Sequence, residues 1–154
     1  MLYSLTNLSD AAAKSLSKYK GARLYLNGLK SLSDATAESL SKHNGEWLSL
    51  RGPTSLSDAA AESLSKHKGD ELSLNVTFLS DAAVESFSKH EGFLELTGLT
   101  DLSDAAAESL LKHEGTLSLI LDDLPYSARE ILEKHPSILE KHPSILEKHP
   151  SIQD

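Results

Sequence analysis

The sequence carries seven histidines. Five of them stand in a regular column: His43, His67, His90, His113 and His135, with Tyr19 in the same place ahead of them. The chemistry such a column could do is metal binding or proton relay. Metal ligation needs imidazole nitrogens about 2 Å from one ion. Histidines copied onto neighbouring packed helices start about 8–10 Å apart and point the same way. Tyr19 also interrupts the column without interrupting the pattern around it. These residues are therefore read as helix C-terminal side chains that interact with the last carbonyls and the helix dipole. His142 and His149, further along, have no partner spacing that suits a metal. No metal and no cofactor is expected. Serine, histidine and aspartate are plentiful enough to write a triad, but each recurs in copied positions, and catalysis needs one singular constellation. G-x-S-x-G, the P-loop, G-x-G-x-x-G and H-E-x-x-H do not occur. The expectation is a protein that is not an enzyme.

What positions these residues is a repeat. Leu-Ser-Asp begins at Leu8, Leu32, Leu56, Leu79 and Leu102, so the spacing is 24, 24, 23 and 23. Around it runs a pattern close to L-x-L-x-G-L-x-x-L-S-D-A-A-A-E-S-L-S-K-H-x-G. A sixth, degenerate copy starts at Leu124, and its Glu130, Leu132, Lys134 and His135 fall in register.

Each copy contains a short alternating stretch: Leu24-Tyr25-Leu26, Leu48-Ser49-Leu50, Leu72-Ser73-Leu74, Leu94-Glu95-Leu96 and Leu117-Ser118-Leu119. Period-two alternation predicts strands with leucines on one face. A helix of about 11 residues follows, typified by Ser57 to Gly69. Ser57 or Asp58 serves as its N-cap, and Asp58 suits the positive end of the helix dipole. Gly69 is expected at the C′ position with a positive φ. Ala60, Ala61 and Leu64 share one face. Glu62–Lys66 is an i,i+4 pair, repeated at Glu38–Lys42, Glu85–Lys89, Glu108–Lys112 and Glu130–Lys134. Serines such as Ser63 and Ser65 leave the helix flanks small, so neighbouring helices can approach closely.

One copy cannot bury its apolar face alone; stacked copies can. Strands about 4.8 Å apart and helices about 8–10 Å apart bend such a stack with its strands inside. Parallel strands joined by crossover helices wind right-handed.

The L-x-L pairs with their following leucines, Leu24, Leu26, Leu29 and Leu32 in one copy and Leu94, Leu96, Leu99 and Leu102 in another, resemble the leucine-rich-repeat superfamily in a short, bacterial-type variant of 23–24 residues. The resemblance covers nearly all of the chain to about residue 135. It implies an α/β fold, a right-handed solenoid with a parallel strand ladder on the concave face and short helices on the convex face. It also implies a protein-binding role. The family has asparagine three residues after the second strand leucine; here that place holds Leu29, Pro53, Thr77 or Leu99, and Gly28, Gly52 and Gly98 are candidates for resolving the turn instead.

The expected organisation is a solenoid over 1–135, about six copies with the first and last incomplete or degenerate, and a low-complexity tail over 136–154. The first strand, around Leu2 and Leu5, is incomplete and no polar cap module precedes it. In the tail Ile-Leu-Glu-Lys-His-Pro-Ser recurs three times. Pro136, Pro143 and Pro150 each cost a continuous helix about 3 kcal/mol. Short turns, kinks or disorder are expected there, with some Ile and Leu covering the open end of the stack.

The net charge of −8 argues against a nucleic-acid or anionic-membrane partner. Without cysteine there are no disulfides. No signal peptide is present in MLYSLTNLSD and no apolar run spans a bilayer, so the expected location is cytoplasmic.

If a site exists, it lies where the copies disagree. On the strand face facing away from the leucines these are Arg23, Tyr25 and Asn27; Trp47, Ser49 and Arg51; Glu71, Ser73 and Asn75; Phe93, Glu95 and Thr97; Thr116, Ser118 and Ile120. Trp47 is the only tryptophan, and Trp, Tyr and Arg are the usual hot-spot types. The competing reading is that Trp47 and Phe93 tuck against neighbouring strands and the face is a solvated sheet. The partner-binding set is Arg23, Tyr25, Asn27, Trp47, Ser49, Arg51, Glu71, Asn75, Phe93 and Glu95. The leading function is a non-catalytic scaffold for an unidentified protein partner. The alternative is a structural module that stacks end to end or belongs to a longer array, so the state is monomer or weak end-to-end self-association.

Overall fold

A computed structural model describes residues 4–134; His135, the tail histidines and prolines, and Leu2 lie outside them. Helices and strands alternate throughout: α1 (Asp10–Leu16), β1 (Arg23–Tyr25), α2 (Asp34–Ser41), β2 (Trp47–Leu50), α3 (Asp58–Ser65), β3 (Glu71–Leu74), α4 (Asp81–Ser88), β4 (Phe93–Glu95), α5 (Asp104–Leu110), β5 (Leu117–Ser118) and α6 (Tyr126–Glu133). The five strands form one parallel sheet in chain order. The extensive contacts run from each strand to the next and from each helix to the next, as a repeat array requires. No helix among the described residues is long and apolar enough to cross a membrane.

Register follows the leucines. Leu24, Leu48, Leu72, Leu94 and Leu117 pair in line across the sheet, and all are buried. Leu26, Leu50, Leu74, Leu96 and Leu119 form a second buried column. From the helices come Ala13, Ala37, Ala61, Val84 and Ala107, together with Leu40, Leu64, Phe87, Leu110 and Leu132. Each fully buried leucine contributes about 1.5–3 kcal/mol relative to an exposed one. Alanine at the helix positions keeps adjacent helices close. The copies change length only in their loops, so Leu72 still faces Leu94.

The helix starts resolve the choice of cap. Ser9, Ser33, Ser57, Ser80 and Ser103 are the N-caps, each accepting a hydrogen bond from the N–H three residues on. The aspartate that follows looks the other way along the array. Asp10 accepts from Ser33 Oγ at 2.9 Å, and Asp34, Asp58 and Asp81 accept from Ser57, Ser80 and Ser103. One serine thus caps its own helix and donates to the previous copy. At Thr36, where other copies have alanine (Ala60, Ala83, Ala106), the extra hydroxyl also donates to Asp10, at 2.9 Å.

The helix ends differ from expectation. The helix expected over Ser57 to Gly69 stops at Ser65. The next two N–H groups, of Lys66 and His67, bond three residues back to Ser63 and Leu64 at 3.1 and 3.0 Å, a tightened last turn. Ser41, Ser65 and Ser88 hydroxyls donate to the carbonyls of Glu38, Glu62 and Glu85, satisfying groups that a helix end leaves open. No described glycine has a positive φ, so Gly69 is not a left-handed cap. Its role is close approach: a β-carbon on Gly69 would overlap the carbonyl oxygens of Gly45 and Glu46 in the preceding copy.

After β1, β3 and β4 the turn is bridged to the preceding copy by backbone. Lys30, Thr77 and Thr100 donate their N–H to the carbonyls of Thr6, Thr54 and Thr77 at 3.1, 3.0 and 3.0 Å. Three expected helix ion pairs close: Glu38–Lys42 at 3.5 Å, Glu62–Lys66 at 3.7 Å and Glu130–Lys134 at 3.3 Å.

Candidate functional site

The strand ladder sets side chains of different copies directly beside one another. Arg23 pairs in register with Trp47, Trp47 with Glu71, and Glu71 with Phe93. In the next row Tyr25, Ser49, Ser73 and Glu95 align. Arg23 lays its guanidinium 3.9 Å from the Trp47 ring centre, a cation–π contact. Trp47 and Phe93 are half-buried. So the tryptophan does lean on a neighbouring strand, but its neighbour is an exposed arginine and the pair stays at the surface.

Arg51 reaches past β3 to pair with Glu95. Between them the Ser73 hydroxyl lies 2.8 Å from Glu71 and 3.1 Å from Glu95, and its single proton serves one carboxylate at a time. Tyr25, Trp47, Arg51, Glu71 and Glu95 line an open hollow of about 340 Å³ on this face. Aromatic surface, one arginine and two carboxylates therefore meet in one depression.

Two of the expected contact residues are occupied by the fold. Ser49 is only 5% exposed, and its hydroxyl donates to Asn27 Oδ1 at 2.7 Å. The same oxygen accepts the backbone N–H of Arg51 at 3.1 Å. Asn27 thereby joins one copy to the next, and Ser49 is too short and too well covered to meet a partner. Both side chains are thus engaged in contacts between copies. Arg23, Arg51 and Asn75 are exposed, and Tyr25, Glu71, Phe93 and Glu95 half-exposed.

The histidine column has a different character from the one expected. His43, His67, His90 and His113 are 1%, 3%, 2% and 0% exposed. Their rings lie nearly parallel, with centres 6.3, 6.3 and 6.5 Å apart, and Tyr19 begins the stack 6.1 Å from His43. Neither nitrogen of His43, His67 or His90 makes a hydrogen bond of ordinary geometry; His113 Nε2 lies 3.2 Å from the Thr116 carbonyl. The rings point into the array instead of capping carbonyls at the helix surface. Burial holds all four below the ordinary value of 6.5, His67 at about 4, with the adjacent imidazoles adding to the effect at His67. Backbone carbonyls of Ser41 and His43 oppose part of it at His67.

The glycine two residues on completes this packing. A β-carbon on Gly45 would lie 2.6 Å from the carbonyl oxygens of Gly21 and Ala22 and would strike the His43 ring. The H-x-G signature is thus one packing unit, ring over glycine over the previous copy. The sequence marks it as a recurrent pair, but the contact of ring and glycine with the previous copy is visible only in the structure. Among the described residues no group of three or more His, Cys, Asp or Glu is placed to hold a metal ion.

Compared with protein-family models, with curated proteins and with solved structures, the chain matches none.

Proposed function

We propose that the chain is a non-catalytic interaction scaffold that binds a protein partner through its strand face. The observation that carries the reading is the coincidence of two features at one place. The strand face is where the otherwise uniform copies differ, and there Trp47, Tyr25, Arg51, Glu71 and Glu95 surround a single hollow. Large aromatics and arginine in a desolvatable depression are the usual anchors of protein interfaces. The negative net charge disfavours nucleic acid and anionic membranes as the partner. The regular leucine ladder supports assignment to the leucine-rich-repeat type, wound right-handed with the strands on the concave side. Fold type alone does not assign a function; the side chains of the strand face do.

The test is affinity capture on the full chain and on Trp47→Ala/Arg51→Ala. A partner retained by the wild type and lost by the variant, with unchanged circular dichroism, supports the reading. Equal retention on both overturns the site. A second reading, end-to-end stacking, draws on β1, which among the described residues has a strand neighbour on one side only. Light scattering separates the two: mass rising with concentration favours stacking, and a constant monomer mass excludes it.

A further inference from the structure

The geometry points to the buried histidine column as a pH-sensitive device that loosens the joints between repeats when the rings take up protons. Four imidazoles stand face to face at 6.3–6.5 Å between centres, covered from solvent. Each sits in the segment between a helix end and the next strand. Charging any two neighbours places like charges against each other in a poorly hydrated site, where the interaction is strong.

The surroundings offset only part of that charge: backbone carbonyls and Glu114 favour the protonated rings, but burial outweighs them. His43 lines a surface hollow together with Glu38, Lys42, Lys66 and Lys68. His67 lines one with Lys68, Lys89 and Glu91. His90 lines one with Glu85, Lys89, Glu91, Lys112 and Glu114; Glu114 is also the carboxylate that favours the charged form of His113. The set comprises five lysines and four glutamates, so the shell is not acidic overall. Tyr19, at the head of the column, brings a phenol ring.

The direction of the effect follows from the depressed values. Each ring holds its proton less well folded than unfolded, so its contribution is fully present above pH 6.5. That contribution is lost as pH falls towards the folded value, about 4 for His67. A ring with those two values lowers the folding equilibrium constant about a hundredfold between pH 7 and pH 4.

The test compares urea midpoints of the full chain and of His67→Phe/His90→Phe between pH 7.5 and pH 4. Phenylalanine keeps a ring in the column and cannot titrate; carboxylate titration is common to both proteins. A steep acid loss in the wild type that is at least tenfold smaller in the variant supports the device. Equal pH dependence in the two overturns it. Should the variant not fold, nitrogen-15 NMR of the imidazoles in the wild type decides. Rings still neutral at pH 5.5 support the device, and rings titrating near 6.5 overturn it. These outcomes are independent of whether the strand face binds a partner.

Discussion

Replacing Ser57 by alanine separates a helix cap from an inter-repeat joint. Ser57 Oγ accepts the Ala60 N–H at 3.0 Å, and losing such a cap costs about 1 kcal/mol. The same hydroxyl donates to Asp34 in the preceding copy. That bond involves a charged acceptor, but both residues are exposed and water replaces much of what is lost, leaving about 0.5–1 kcal/mol. Ser57→Ala should therefore destabilise by about 1.5–2 kcal/mol. Asp34→Ala removes the acceptor and the favourable charge at the start of α2, and the double variant should cost less than the sum of the two. The assay is urea denaturation of the four proteins of the cycle, with unchanged m-values as the sign that the same two-state transition is followed. A coupling energy of about 0.5 kcal/mol or more is expected. Strict additivity would refute the claim that the Leu-Ser-Asp signature joins adjacent copies, even if the cap itself proved real.

Two further substitutions probe the packing. Gly69→Ala should lower the melting temperature and cost about 1–3 kcal/mol, because the added carbon meets the carbonyls of Gly45 and Glu46; an unchanged melting temperature would contradict the close-approach reading. Leu72→Ala, at a fully buried centre of the sheet, should cost about 2–5 kcal/mol in the same measurement, and a cost below about 1 kcal/mol would show the leucine column to be loosely packed.

The order of elements was legible because two periodicities coexist in each copy. Alternating leucines gave the strands, and the Ala60, Ala61 and Leu64 face gave the helix. What escaped reading depends on contacts between copies. Serine and aspartate were both sensible caps, and only the neighbouring repeat decides between them: the serine caps while Asp34 receives Ser57. Gly69 suggested a left-handed end because local sequence cannot show a carbonyl of another copy pressing on it. The histidines looked like surface caps because the expected helix ran through Lys66 and His67. The ring is in fact buried, three residues beyond Leu64 on the same inward side. On the strand face, alternation sets Ser49 between the strand leucines but cannot report that Asn27 already holds its hydroxyl, or that Arg51 reaches across β3 to Glu95.

The most direct measurement of the central claim uses the single tryptophan. The chain labelled with 5-fluorotryptophan gives one fluorine-19 resonance, from Trp47, to follow by NMR as the captured partner is added. A resonance that shifts or broadens along the same isotherm as binding is the predicted result. Saturable binding that leaves the Trp47 signal unmoved would contradict the account, since the partner would then engage a surface other than the strand face.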